Sequence, residues 1–248
     1  MRRIYVPGPL GEGRTVALEG AVAHRIARVL RLRAGERIAL FDGSGVEAIA
    51  ELAGVSPARV EAAIVSVRPG LPEPPVRLTL CQSVVKGERF EWALEKGTEI
   101  GVARFVPLLT QRNVVRPAQG AKLERWRRIV IEAAEQCGRC VVPEVAAPVS
   151  FEEALRRLEP PALLPYEGER QVTLTKVLDA LGRPEALTIL IGPEGGFTRP
   201  EVERAASRGA QPVSLGPRVL RSETAGIVAA TLVLARLGAF DPPQAQGS

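Results

Sequence analysis

Two glycine–proline loops in the last third of the chain bring together the residue types that could do chemistry. The first, Gly192-Pro193-Glu194-Gly195-Gly196, ends the uncharged apolar run Leu187–Ile191. The second, Gly216-Pro217, ends the run Pro212–Leu215 and leads through Arg218 to the charged stretch Arg221-Ser222-Glu223-Thr224. Each run reads as a buried strand. Two strand ends that each open into such a loop are what an α/β sheet uses to hold a ligand at its carboxyl edge. The alternative is two tight turns in an ordinary α/β protein. The glycines let backbone approach a ligand closely. The first loop is no phosphate cradle, because Phe197 and Thr198 follow Gly196 where a P-loop needs Lys and Ser/Thr. It also lacks the G-x-G-x-x-G spacing of dinucleotide sites. Acidic at Glu194 and otherwise uncharged, it suits a polar, uncharged or cationic ligand better than a polyphosphate.

The elements that must position these loops follow from pattern. Thr198 before Pro200 and Glu201 predicts a helix to about Ser207, and a further helix begins near Ser222 or Glu223. From Val76 onward strand and helix patterns alternate, which predicts a mostly parallel sheet. The strands are Val76–Gln82, Phe105–Leu109, Leu163–Tyr166 and Leu187–Ile191, and the helices Glu88–Ile100 and Leu123–Cys137, the latter burying Trp126. The stretch from Thr224 to Leu237 is apolar almost all round, so it is buried on several sides, most easily with help from a partner chain. Residues 1–69 read as a small β-rich module, with strands at Arg3–Val6, Arg37–Phe41, Val46–Leu52 and Val60–Val67. One helix, Ala21–Leu32, has Val22, Ile26, Val29 and Leu30 on a single face. The proline-rich segment Pro69–Pro75 marks a domain boundary. Domains are therefore expected at 1–69 and 76–240, with a flexible tail at 241–248.

Composition narrows the class. Hydrophobic residues make up 46% and charged residues 25% of the 248, which is a soluble globular balance. No apolar run has membrane-spanning length, and MRRIYVPGPL has basic residues but no apolar h-region, so a cytoplasmic protein with no membrane association is expected. The formal charge of +5 favours an anionic partner. That excess is upstream: residues 1–70 and 71–150 each carry net +3, and residues 151–248 carry −1. Cys137 and Cys140 have redox or zinc spacing but no second cysteine pair, and the single His24 is distant, so no metal is expected.

IGPEGGFTRPEVERA followed by LGPRVLRSETA closely resembles the SPOUT methyltransferases, and within them the bacterial family that methylates N3 of a uridine in small-subunit (16S) ribosomal RNA. KGERFEWALEKGTEIGVARFVPLLTQRNVV and RWRRIVIEAAEQCGRCVVPEV resemble the same family, and HRIARVLRLRAGERIALFDGSG resembles its PUA-like N-terminal domain. The resemblance implies a knotted SPOUT-type α/β domain with a mostly parallel sheet, preceded by a PUA-like β-barrel that grips RNA. It places the knot and the S-adenosyl-L-methionine site at about 187–226. It also implies a homodimer acting on small-subunit ribosomal RNA or the assembled subunit.

By the same resemblance, backbone of Ile191, Gly192, Pro193, Gly195 and Gly196 holds one side of the cofactor. Leu215, Gly216 and Leu220 hold another, with Ser222, Thr224 and Ala225 at the start of the last helix. Leu164, Pro165 and Tyr166 form a third wall. Uracil N3 carries a proton that must leave, so Glu223 is the candidate base and Arg221 the group that stabilises an oxyanion; Glu223 also reads as a carboxylate favoring its helix dipole. Arg25, Arg28, Arg31, Lys86, Arg112 and Arg139 are expected near RNA, with Glu99, Glu132 and Gln136 near RNA or the knot. For the arginines of the first helix a merely solvated basic face is the other reading. Two other functions stay open: a SPOUT enzyme acting on transfer RNA or another base, and a non-catalytic RNA-binding protein.

Overall fold

The computed structural model describes residues 1–113 and 120–241. The chain divides into two compact units, Met1–Pro72 with Ala134–Val142, and Glu73–Ala133 with Pro143–Ser248. Of the expected tail, residues 242–248 lie outside the described residues.

The first unit is a curled five-stranded sheet. Its strands are β1 (Arg2–Tyr5), β2 (Thr15–Glu19), β3 (Arg37–Phe41), β4 (Val46–Val55) and β5 (Arg59–Pro69), in the order β1-β3-β4-β5-β2. Only β1 and β3 pair in parallel; the other neighbours are antiparallel. Alternate residues face inward, as Val60, Ala62 and Ile64 do along β5 while Glu61 stays out. Register shifts between β4 and β5 at Ile49/Ala50 and Leu52/Gly54 bend the pair, because a bulge increases local twist. Inside lie Ile4, Ile26, Ile38, Leu40, Leu52 and Val60, all at most 1% exposed.

The expected helix Ala21–Leu32 is shorter and wider than its pattern suggested. Helix α1 (Gly20–His24) passes into a π-type turn at Arg25–Val29, where the Leu30 amide donates to the Arg25 carbonyl at 2.8 Å. The extra residue in that turn swings Val29 off the apolar face, and it is 67% exposed while Ala23 and Ile26 are fully buried. Glu135 Oε1 accepts from the Arg25 guanidinium and the Tyr5 amide, both at 2.8 Å. The three cysteines are free, and Cys140 is buried with Sγ 3.0 Å from an Arg3 nitrogen.

The second unit runs β6 (Arg77–Ser83), α2 (Arg89–Ile100), β7 (Arg104–Leu109), α3 (Ala121–Cys137, whose residues from Ala134 on belong to the first unit), β8 (Glu144–Val145), β9 (Val149–Ser150), α4 (Phe151–Arg156), β10 (Ala162–Pro165), α5 (Leu174–Leu181), β11 (Ala186–Ile191), α6 (Arg199–Ser207), β12 (Ala210–Val213) and α7 (Ser222–Arg236). The strands form one sheet, β12-β10-β11-β6-β7-β8, with β9 also beside β7, and every pairing in it is parallel. Helices cover such a sheet, so its strands carry nearly continuous apolar runs; Leu78, Leu80, Ile189 and Leu190 are fully buried. Burial pushes the Cys81 thiol on β6 up to about 12, against an opposing pull from Arg104.

Helix α7 packs on β6, β11, α2 and α5 through Gly226, Ala229, Ala230, Val233 and Leu234. Those neighbours account for most of the burial its sequence demands, while Leu232 and, beyond the helix, Phe240 stay exposed. Trp126 of α3 is fully buried, as its spacing required, and stacks obliquely on Phe90 of α2 with ring centres 4.4 Å apart. The pattern reading did not place β2, α4 or α5. Each is short, and α4 and α5 depend on the caps Ser150 and Thr173, whose hydroxyls accept from Glu153 and Lys176 amides. No described helix is long and apolar enough to cross a membrane.

Candidate active site

The parallel pairing sends the carboxyl ends of β6, β10, β11 and β12 to one edge. Gln82 stands opposite Ile191, and Pro165 opposite Val213. At that edge a cavity of about 550 Å³ opens between the segments that follow β10 and β12, within the size range of small-molecule sites. Of the residues expected there, Pro165, Tyr166, Leu215, Gly216, Leu220 and Ala225 line it. Leu164 is fully buried in the strand behind. Lining residues that the sequence did not single out are Glu167, Glu169, Arg170, Thr173, Ser214, Pro217 and Val219. Glu169 shapes its own loop by accepting the Gln171 and Val172 amides at 2.8 and 2.9 Å, and these bonds, that from Val172 first, hold its carboxyl below the ordinary range.

The loop after β11 lies beside this cavity and is tied down. The Gly196 amide donates to the Pro193 carbonyl at 2.9 Å, closing a turn. Gly196 has φ +66°, and a side chain there would also collide with the Glu167 carboxylate. Arg112, on the segment after β7, donates to the Gly195 carbonyl at 2.6 Å. Glu194 lies 3.4 Å from the Lys86 amide and 3.6 Å from the Arg89 guanidinium. Behind the loop, Thr198 and Glu201 form a capping box at the start of α6. Glu201, only 2% exposed, also accepts the Gln111 amide at 3.0 Å and so joins the β7 and β11 segments. The Thr-x-x-Glu pattern gave the cap, but nothing local announced the bond to Gln111, ninety positions away.

The start of α7 carries the side chains expected to take part in the chemistry. Arg221 is its exposed N-cap residue and Ser222 and Glu223 open the helix. Glu223 is 8% exposed; Arg89 approaches its Oε1 at 3.9 Å, and its buried Oε2 has no hydrogen-bond partner. Ser222 donates to the Gly192 carbonyl, so the first and second loops meet here. Ile191 and Pro193 are buried, and Thr224 is half-buried.

The residues expected to meet RNA are in different settings. Arg28 and Arg31 are exposed on the first unit, and Lys86 and Arg112 on the second. Arg25 is half-buried against Glu135, and Arg139 is 7% exposed. Glu99 pairs with Lys96 at 2.8 Å, whereas Glu132 and Gln136 are exposed on α3. Among the described residues no group of three or more His, Cys, Asp and Glu side chains is placed to hold a metal ion.

Comparison with known proteins agrees with this geometry. Residues 72–234 match the model of an RNA methyltransferase domain, and residues 18–65 that of an RNA methyltransferase PUA domain. The chain is 39% identical over 239 residues to ribosomal RNA small subunit methyltransferase E of Synechocystis, covering 95% of this chain and 78% of that one. Its identity to the Bacillus subtilis enzyme of the same name is 33%, covering 90% of each. Among solved structures, a ribosomal RNA small subunit methyltransferase E from Neisseria gonorrhoeae bound to S-adenosyl methionine is 37% identical, with a TM-score of 0.87 over 95% of this chain and 97% of that chain. With a PUA unit, an all-parallel second sheet and a cavity at its carboxyl edge, the chain belongs to the ribosomal RNA small subunit methyltransferase E family of RNA methyltransferases.

Proposed function

We propose that the protein transfers a methyl group from S-adenosylmethionine to N3 of a uridine in small-subunit ribosomal RNA. The observation that carries this reading is Glu223, a buried carboxylate with one oxygen unpaired, on the helix turn that follows the cavity-lining loop. An unpaired buried acceptor is costly, and an N–H donor such as uracil N3 would satisfy it.

The cavity residues fit the cofactor. Tyr166, Leu215, Val219 and Leu220 offer apolar surface for a nucleoside, and Glu167 offers a carboxylate to its cationic arms. When bound, S-adenosylmethionine supplies an electrophilic methyl on a sulfonium, whose departure needs no further activation by the protein. The chain's work is then positioning and proton removal. Glu223 Oε2 takes the N3 proton, and Arg221, exposed at the helix start, stabilises charge at a uracil oxygen. Arg89 holds Glu223 from its other oxygen. The tied loop after β11 fixes one side of the cofactor through Gly192, Gly195 and Gly196, within the knot at about 187–226 that the family resemblance implies. Residues 1–69 act as the RNA grip and 76–240 as the transfer domain. Arg28, Arg31, Lys86 and Arg112 are exposed and suited to phosphate. Exposed Leu232 and Phe240 near the end of α7 support a homodimer built on that helix, and a ribosomal RNA substrate would put its work in the cytoplasm.

The test is transfer of labelled methyl from S-adenosylmethionine to small-subunit particles and to naked RNA, with the product nucleoside identified. Label in one N3-methyluridine supports the proposal. Label only in transfer RNA, or on another base atom, contradicts it.

A further inference from the structure

The buried polar side chain nearest the reactive turn is one that the scheme above does not use. Gln82 is the penultimate residue of β6, level with Ile191 in the parallel register, and is 1% exposed. Its Nε2 lies 2.9 Å from Ser222 Oγ, and Ser222 Oγ in turn hydrogen-bonds the Gly192 carbonyl. Direction follows from the donor inventory. A carbonyl only accepts, so the single hydroxyl proton of Ser222 goes to Gly192, and Ser222 Oγ must accept from Gln82. The amide orientation is thereby fixed. Its Oε1 then has no partner and lies against the first turns of α7, where a Cβ at Gly226 would overlap it. A glycine inside a helix costs about 1 kcal/mol relative to alanine, and here its missing Cβ leaves room for the Gln82 amide oxygen.

We propose that Gln82 is a positioning residue for methyl transfer. Through Ser222 it locks the first turn of α7, with Arg221 and Glu223, to the opening residue of the loop after β11. The inference rests on the methyl-transfer reading given above. Gln82 touches neither substrate nor cofactor in this scheme. Its role is to keep the base and the methyl donor in one frame, and a misplacement of about 1 Å between such groups costs up to about a hundredfold in rate.

The experiment uses the full-length protein and the labelled-methyl assay, with kcat, cofactor Kd by calorimetry and thermal midpoint measured for each variant. Gln82→Glu keeps the shape and removes the N–H donor. Gly226→Ala keeps Gln82 but drives its amide away; the overlap lowers the thermal midpoint, so every variant is assayed well below its own midpoint. Both lower kcat at least about tenfold, with cofactor Kd within about threefold of wild type, because the cavity lining is untouched. The double variant Gln82→Ala/Gly226→Ala loses no more than Gln82→Ala alone, since the added methyl enters vacated space. Wild-type kcat in Gly226→Ala overturns the proposal. So does a kcat loss matched by the rise in Kd, or a double variant whose loss is the product of the singles. Failure of the wild-type protein to transfer label refutes the methyl-transfer reading instead.

Discussion

The segments after β11 and β12 both carry a Gly-Pro pair, Gly192-Pro193 and Gly216-Pro217, yet they are held differently. The first is fixed from four directions: Arg112 on the Gly195 carbonyl, Ser222 on the Gly192 carbonyl, Lys86 and Arg89 at Glu194, and the Thr198–Glu201 box behind it. The second is anchored at its start, where the Ser214 amide donates to the Val172 carbonyl at 2.8 Å and its carbonyl accepts the Leu174 amide at 3.1 Å; beyond that the Gly216 amide turns back to Ser214 Oγ at 3.2 Å, and Val219 is 85% exposed. A ligand at this edge therefore meets one preorganised wall and one that must settle on it. The rigid loop fixes where the ligand sits, and ordering of the exposed loop draws on binding energy.

Breaking the rigid wall gives the largest effect. Gly196→Ala introduces a side chain at φ +66° and displaces Glu167; left-handed backbone costs a non-glycine residue about 1–2 kcal/mol. Calorimetry is expected to show cofactor affinity down about tenfold. Arg112→Ala releases only the Gly195 carbonyl, at an exposed position. A weakening of about threefold is expected in the same titration, since one net hydrogen bond is worth about 0.5–1.5 kcal/mol. On the second wall, Val219→Ser leaves stability within about 0.5 kcal/mol by denaturant unfolding. Hydrogen exchange of the wild-type protein sharpens the contrast: amides of 215–220 gain protection when S-adenosylmethionine is added, and those of 192–196 change little. The smallest effect is acid loosening of the 166–173 segment. Glu169 has its carboxyl pKa lowered in the folded state. Its contribution is therefore complete above the unfolded pKa and is lost as pH falls through the folded one. Exchange in this segment should rise on acidification, and Glu169→Gln should remove that pH dependence.

How much of this was legible in the sequence varied with the range of the interaction. Uncharged runs such as Leu187–Ile191 declared the buried strands, and spacing put Trp126 inside. The widened turn at Arg25–Val29 has no pattern of its own, and it misplaced Val29. At the site, the loop after β12 and the start of α7 were readable from glycine, proline and the charged stretch that follows. Gln82, Arg89 and the second role of Glu201, beyond its cap, were not. Each acts on a partner far along the chain, Ser222, Glu223 or Gln111, and only the parallel sheet brings those partners to one edge. Arg25, expected near RNA or on a solvated basic face, is half-buried and also pairs with Glu135, which its local sequence did not announce.

Single-turnover methyl transfer by Glu223→Gln, set beside its calorimetric affinity for S-adenosylmethionine, tests the central claim most directly. The account predicts cofactor binding within about threefold of wild type and transfer slowed about a hundredfold or more, the range of a lost general base. Transfer at the wild-type rate with cofactor bound would contradict it, and the unpaired oxygen of Glu223 would need another explanation.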